Sequence, residues 1–430
     1  MAEDSSHQPS NNTSRLHTTS MRVLIIGGGV AGLASALALT KWDPEIQRIT
    51  IAEIRNQPTT IGGAVGLTPN ALRCLHHLGV LEQIRRGEYG TEIDLIEIFA
   101  IHTGAKLGEI KFIGPSGEGV GDPKLKGLRI MRADLMRALL DAVELNGKIT
   151  IEYDRKASQI DAETDEVRVS FADGHSMSVD LLLGCDGIHS FTRTNLVDPE
   201  RMPSYTGISA AFTVGELDPG AHVPWKDTGL CQSQRGALMT TYLEPTRTKQ
   251  FMAAIMETPD VKSKDGWRAR ATEQDNIKNN IKERFGNSAV KFLDPLIEAT
   301  NQWTLYPVYN LAPKGKWSTH RVMLLGDAAH AMPPQGESTA HALEDAIIFA
   351  RILAKHKSDG LDVVFKKYED TRKPSIDRAY EESVFGWNTQ KDSGWISFLL
   401  RTWMTSAFLW WTAAARSKRY AEDVSSMELE

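Results

Sequence analysis

One stretch constrains this chain more than any other: Met21-Arg-Val-Leu-Ile-Ile-Gly27-Gly-Gly29-Val-Ala31-Gly32. An apolar run ends at glycine, which is the pattern of a buried strand. The Ala/Leu-rich segment from Val30 to Trp42 has helical spacing, and Arg48–Ala52 is a second short apolar run ending at Glu53. Strand, helix and strand within about 30 residues open a parallel sheet. Between the first strand and the helix lies GxGxxG. Gly27 permits the tight turn, Gly29 lets a pyrophosphate approach the backbone, and Gly32 lets helix and strand pack closely. The helix N-terminus then faces phosphate charge. Glu53 ends the second strand where a carboxylate suits a ribose 2′-hydroxyl and repels a 2′-phosphate. The spacing therefore predicts FAD or NAD rather than NADP.

Two later strand ends carry acids. Asp180-Leu-Leu-Leu-Gly-Cys runs into Asp186-Gly187, with Ser190 and Arg193 following. Val322-Met-Leu-Leu runs into Gly326-Asp327, followed by His330, Pro333-Pro334 and a helix-like segment from Ser338. Sheets of this kind bind ligands outside their carboxyl ends. Three polar strand ends suit a ligand longer than one nicotinamide dinucleotide.

The rest of the chain reads differently. A helix is expected around 69–86 and another over 132–145. Residues 92–101 and 106–113 read as an antiparallel pair turning at Thr103-Gly104. Asp173-Gly174 marks a hairpin between 167–171 and 177–183. Residues 114–121 (GPSGEGVG) read as a loop, not a phosphate cradle, because no strand leads in and no helix follows. Segments 205–256 and 301–310 are strand-like, and helices are expected over 361–386 and 395–417. No internal repeat is visible. The fold class is thus α/β, a Rossmann-type dinucleotide-binding domain interleaved with a mostly antiparallel β-sheet domain, plus C-terminal helices. The nucleotide domain takes 21–90, 125–200 and 318–370. The second, substrate-binding domain takes 91–124 and 201–317, and 371–430 is a C-terminal helical region. Residues 1–20 are polar without an apolar core and read as a disordered tail, not a secretory signal.

Composition excludes other classes. A net charge of −6 without a basic block speaks against nucleic acid. Three dispersed cysteines form no metal-ligand spacing or disulfide framework, which points to a reducing, cytoplasmic setting. No metal site is expected. Residues 395–415 are rich in Trp, Phe and Leu but interrupted by Arg401. They are expected to pack on the body, to mediate self-association, or to lie on a membrane surface rather than to span it.

The three ordered motifs, together with Leu67-Thr-Pro-Asn-Ala-Leu-Arg73 and Arg129-Ile-Met-Arg132-Ala-Asp-Leu, resemble the fingerprints of the single-component FAD-dependent monooxygenases. These are the aromatic hydroxylases related to salicylate and para-hydroxybenzoate hydroxylase. The resemblance covers roughly residues 21–370. It implies bound FAD, with NAD(P)H as a transient co-substrate that reduces the flavin without a domain of its own. O₂ then adds at flavin C4a, and one oxygen passes to an aromatic or other electron-rich small molecule by hydroxylation or epoxidation. It implies cofactor contacts at Gly27, Gly29, Ala31, Gly32, Glu53, Arg55, Gly66, Arg132, Asp186, Gly326, Asp327, Pro334, Gly336, Ser338 and Thr339. Asp327 would bond the ribityl and pyrophosphate region, and the helix from Ser338 would aim its dipole at flavin N1 and O2. His330 is assigned a structural role. The family loop Gly-Gln-Gly-x-Asn is altered here to Gln335-Gly336-Glu337-Ser338-Thr339-Ala340, so Ser338 and Thr339 would replace the missing amide, and the Glu337 carboxylate is expected to point away.

Tyr242 matches a pocket-facing position and is the candidate catalytic residue, orienting or deprotonating a phenol. Trp225, Tyr205 and Tyr306 are candidate lining groups. The place near Thr213 where relatives carry an arginine has none, which favours an uncharged substrate such as an indole, a prenylated ring or an alkene. The competing reading is an FAD-dependent reductase or dehydrogenase on the same scaffold without oxygen transfer.

Overall fold

A computed structural model describes residues 21–59, 62–162, 165–333 and 337–429. The tail 1–20 and the positions Pro334 and Gly336 lie outside the described residues. A six-stranded sheet runs Ser318–Thr319, Val322–Leu324, Leu181–Gly184, Arg22–Ile26, Arg48–Ala52 and Ile149–Glu152 in spatial order. Its five longer strands are parallel. Helices Val30–Trp42 and Ser338–His356 pack on it and on each other, and the shared core includes Leu24, Ile25, Leu33, Leu183 and Ile347, none of them exposed. The strands are apolar on both faces because helices cover the sheet.

The second unit is a seven-stranded sheet ordered Thr304–Asn310, Ser204–Glu216, Lys249–Glu257, Gly236–Tyr242, Thr228–Ser233, Leu95–Ala100 and Lys106–Lys111. All its pairings are antiparallel except that of Thr228–Ser233 with Leu95–Ala100. Its two faces differ. On the outer face Ala211, Cys231, Leu238, Met252 and Ala254 are fully buried, at 0% exposure, against helices Gln274–Phe285 and Leu293–Ala299. These helices, with Lys264–Thr272 before them, did not emerge from the sequence reading. On the inner face Ile96, Phe212, Leu230, Met239 and Ala253 stay half-buried although their strands are interior to the sheet. This half-open side is the candidate substrate chamber.

A three-stranded sheet, Ala64–Leu67, Gly127–Met131 and Thr91–Ile93, stands between the two units. Thr91–Ile93 pairs with Gly127–Met131, not with the large sheet. A third strand, Ala157–Ala162, joins the Asp173-Gly174 hairpin. The helix expected over 69–86 is two, Pro69–His77 and Val80–Arg86, because Gly79 takes φ +75° between them.

The C-terminal helix Trp395–Ala421 lies along strand Lys106–Lys111 and buries Phe398, Leu409 and Tyr420. Its other face is open, with Trp403 at 73%, Trp410 at 83% and Trp411 at 77% exposure. Among the described residues no helix is long and apolar enough to cross a membrane. Cys74, Cys185 and Cys231 are buried and unpaired.

Candidate flavin-binding and substrate site

The turn after the first strand is built as its sequence requires. Gly27 sits at φ +106°, and a Cβ there would meet the Cys185 carbonyl oxygen at 2.4 Å. A Cβ on Gly32 would lie 1.9 Å from the Gly27 oxygen, so only glycine lets helix and strand approach this closely. Nothing lies within 4 Å of a Cβ built on Gly29, which caps helix Val30–Trp42 without a side-chain hydrogen bond. This open, uncapped helix start is a cradle for an anionic group. Ala31 faces Gly326, whose added Cβ would come within 2.9 Å of the alanine methyl.

Glu53 is buried at the end of the neighbouring strand. Its Oε2 accepts from the Gly28 N–H at 2.8 Å and its Oε1 from the Arg55 N–H at 3.0 Å. Those bonds fix the carboxylate beside the cradle and leave each oxygen a further lone pair for a ribose hydroxyl. The Arg55 side chain is exposed at the rim and donates to the Thr59 carbonyl at 3.1 Å.

Asp327 opens the short helix Asp327–His330 just after Gly326, which holds φ +62°, ψ −143°. Solvent reaches the Asp327 carboxylate, yet protein crowds it on most sides, as the wall of a trough would. That desolvation raises its carboxyl above the ordinary value, while His330 and Arg132 act in the opposite direction. Tyr306, half-exposed on the inner face of the large sheet, is close enough to Asp327 and Arg132 to feel both charges. Arg132 donates its backbone N–H to the Gly63 carbonyl at 3.0 Å, and its side chain runs under Gly62. Gly63 in turn meets the rings of Phe212 and Phe251 from the large sheet. Helix Ser338–His356 begins without a side-chain cap, so among the described residues the N–H groups of Ser338 and Thr339 have no partner and can meet an acceptor. Glu337 turns away from this helix start and pairs with Arg419 on the C-terminal helix.

A buried network missed by sequence reasoning holds these parts together. Asp345 accepts from the Gly326 N–H at 2.9 Å, from His330 Nε2 at 2.6 Å and from Arg372 Nε at 2.6 Å. Arg372 also pairs with Glu344 at 2.9 Å, and Glu344 accepts from Asn70 at 2.8 Å. Burial alone would raise the Glu344 carboxyl, but Arg372 and His341 hold it at about 2. His330 is thereby structural, tying the strand end to the helix. Arg193 and Arg201, both buried, donate to the carbonyls of Ala328 at 3.0 Å and Ala329 at 2.7 Å.

Three pocket candidates, Tyr242, Trp225 and Tyr205, lie elsewhere than expected, and Asp186 is engaged by its own loop. The Asp186 carboxylate serves its own loop, accepting from Ser190 Oγ at 2.5 Å and from the Thr192 N–H at 2.9 Å. It fixes the chain at the end of strand Leu181–Gly184 and keeps an acceptor position on Oδ1 for the ligand that the motif implies. Tyr242 pairs with Gln250, which places it on the outer face with Met252, whereas Thr241 pairs with Phe251 on the inner one. Its ring lies beneath the Arg247 guanidinium, 4.8 Å from the ring centre, and not in the chamber. Trp225 likewise belongs to the outer core, tilted against Phe99 and edge-on to Phe292. Tyr205 donates its hydroxyl to the Thr258 carbonyl at 2.9 Å and packs on Trp267 and Tyr309. Of the lining candidates, Tyr306 is the one that faces the trough. Gly66 lies on strand Ala64–Leu67, pressed by the Arg129 guanidinium.

The fold and the site together define a class: a doubly wound dinucleotide-binding domain with an attached sheet that closes a chamber over the strand ends. A family model described as an FAD binding domain matches residues 20–383, and the chain belongs to that family. It is 29% identical over 387 residues to the 3-amino-4-hydroxybenzoate 2-monooxygenase PtmB3 of Streptomyces platensis, covering 84% of this chain and 86% of that one. To a salicylate hydroxylase of Pseudomonas putida it is 27% identical over 395 residues, with 86% and 85% covered. Among solved structures, Klebsiella pneumoniae HpxO complexed with FAD and uric acid superposes with a TM-score of 0.75 at 20% identity over 95% of this chain and 98% of that one. A salicylate hydroxylase substrate complex gives 0.73 at 22% identity, covering 95% and 99%. The residues fit FAD: an open glycine cradle, a ribose-side carboxylate, Asp327 in the trough and an uncapped helix start.

Proposed function

We propose that this protein is an FAD-dependent monooxygenase that uses NAD(P)H and O₂ to oxygenate a small aromatic or other electron-rich substrate. One observation carries the reading: the Gly29 cradle, Asp327 and the free N-terminus of helix Ser338–His356 converge where the large sheet leaves its inner face open. When bound, FAD supplies electron transfer from the nicotinamide and activation of oxygen.

The chain's own residues bind, orient and exclude water. The Gly29 turn and the start of helix Val30–Trp42 receive the pyrophosphate, and Glu53 receives the ribose. Asp327 and Arg132 hold the middle of the cofactor. The first-turn N–H groups of the helix at Ser338 place positive potential where reduction leaves negative charge on the ring. Phe212 and Phe251 form an apolar wall against Gly63, keeping the reacting region dry. The competing reductase reading has no support among the relatives, which are named as monooxygenases and hydroxylases.

FAD-loaded protein should oxidise NAD(P)H faster when a substrate from a panel of phenols, indoles and aromatic acids is added, with the product gaining one oxygen. Oxidation of the nicotinamide coupled to a reduced organic product, without added oxygen, would select the reductase instead.

The location we propose is cytoplasmic, with helix Trp395–Ala421 resting on a membrane surface. Its open face carries Trp403, Met404, Trp410 and Trp411, and the helix contains basic residues but no acid.

A further inference from the structure

Arg129 is 4% exposed, and among the described residues its side chain has no hydrogen-bond acceptor and no ionic partner. A buried guanidinium left alone costs several kcal/mol. Desolvation lowers its pKa to about 10, so it keeps its charge at neutral pH. The neighbouring side chain across the strand pair, Thr91, also leaves its buried hydroxyl without a partner. Two polar groups side by side thus await the same occupant.

Their position says what that occupant is. Ile130 and Val65 point into the nucleotide-domain core, so Arg129 and Gly66 point the other way. The guanidinium lies flat on Gly66, with Nη1 at 3.1 Å from where a Cβ would be. One end of this small sheet, at Gly63, abuts Phe212 and Phe251; the other, at Gly127, abuts Phe112. Arg129 therefore sits between the small sheet and the half-open inner face of the large one. The sheet face opposite is mixed: Ile96, Leu230 and Met239 are apolar, Thr228 and Thr241 bond each other at 2.7 Å, and it carries no charged side chain at these paired positions.

We propose that Arg129 is the substrate-recognition residue of this enzyme, binding an acidic oxygen of the substrate, a carboxylate or an ionised phenol or enol, with Thr91 Oγ1 as a second contact. This deepens the monooxygenase reading and rests on it. It also revises the expectation of an uncharged substrate. That expectation followed from the missing arginine near Thr213, but Thr213 lies on the outer face, bonded to the Gln302 carbonyl at 2.6 Å. The charge is supplied from a different sheet.

The test uses FAD-loaded wild type, Arg129→Gln and Arg129→Met. Benzoate, salicylate and 3-hydroxybenzoate are titrated beside their primary amides, and binding is read from the flavin absorbance change. Wild type should bind the acids about tenfold or more tightly than the amides, the worth of a charge-assisted bond. In Arg129→Gln the preference should fall to within about twofold at unchanged FAD content. Without any aromatic ligand, Arg129→Met should melt above wild type, because an unpaired buried charge is gone. Equal binding of acids and amides, no binding by either series, or a preference that survives the substitution overturns the proposal. So does an Arg129→Met protein that melts lower or does not fold, which would make the arginine part of the scaffold. Wild type that holds no FAD would strike the proposed function instead.

Discussion

Asp345→Asn tests whether the trough is held open by the buried network behind it. The carboxylate accepts three hydrogen bonds, from Gly326, His330 and Arg372, at 2.9, 2.6 and 2.6 Å, and has no exposed surface. Asparagine keeps the shape but removes the charge and one acceptor. Breaking a buried pair by removing one partner costs about 3–5 kcal/mol. Arg372 keeps Glu344 at 2.9 Å, which puts the loss near the lower end, about 3 kcal/mol. At roughly 2 °C per kcal/mol, the Tm should fall by about 6 °C. Released from Asp345, the Gly326 N–H would let the Asp327 turn drift, so FAD affinity should fall with it.

The pH dependence has a definite sign. Burial would raise the Asp345 carboxyl, but His330 and Arg372 outweigh it and hold the group well below the usual carboxylate range. A depressed carboxyl stabilises fully above its unfolded value of about 3.9 and loses that contribution as pH falls through its folded value. Wild type should therefore keep an advantage over Asp345→Asn at neutral pH, where Arg372 still pairs with the carboxylate, and the gap should close as pH falls below about 4. Thermal unfolding followed by tryptophan fluorescence across pH, with flavin release in the same scan, measures both. A Tm within about 1 °C of wild type at pH 7 would refute the network's role.

Three other outcomes follow from the site. Asp327→Ala should weaken FAD binding about tenfold or more, read by flavin content after gel filtration; full occupancy would remove Asp327 from the trough. Tyr242→Phe should leave turnover within about twofold of wild type, because its ring lies under Arg247 on the outer face, and a loss in the range of general acid–base catalysis would return it to the chamber. The double substitution Trp410→Ser, Trp411→Ser should reduce sedimentation with vesicles of anionic phospholipid while leaving the melting temperature unchanged, since both rings are at least 77% exposed. Equal sedimentation would exclude the membrane contact.

What the sequence disclosed, and what it withheld, follows from the range of the interactions. The Gly27–Gly32 turn and the place of Glu53 beside it are legible because each geometry is written in neighbouring residues and a short strand interval. The place of Asp327 is legible because an apolar run ending in Gly-Asp marks a strand end, where ligands of such sheets bind, whatever packs above it. Tyr242 was misplaced because alternation along a strand has period two, and a one-residue shift in assignment turns a pocket residue into an outer one. Thr241 and Phe251 hold the inner positions instead. Asp186 carries the motif, but only the folded loop reveals that Ser190 and Thr192 bond its carboxylate and fix its orientation. The Asp345–Arg372 pair joins two helices, and nothing local marks either residue. Arg129 is the extreme case. Its significance is the absence of a partner among the described residues, which becomes visible only once every neighbour is placed.

The central claim is oxygen transfer by a flavin seated over the strand ends. Its most direct test is the mass of the organic product formed by FAD-loaded enzyme with NAD(P)H under ¹⁸O₂. The account predicts incorporation of one labelled oxygen atom. Product that carries no label, with the nicotinamide consumed, would contradict it.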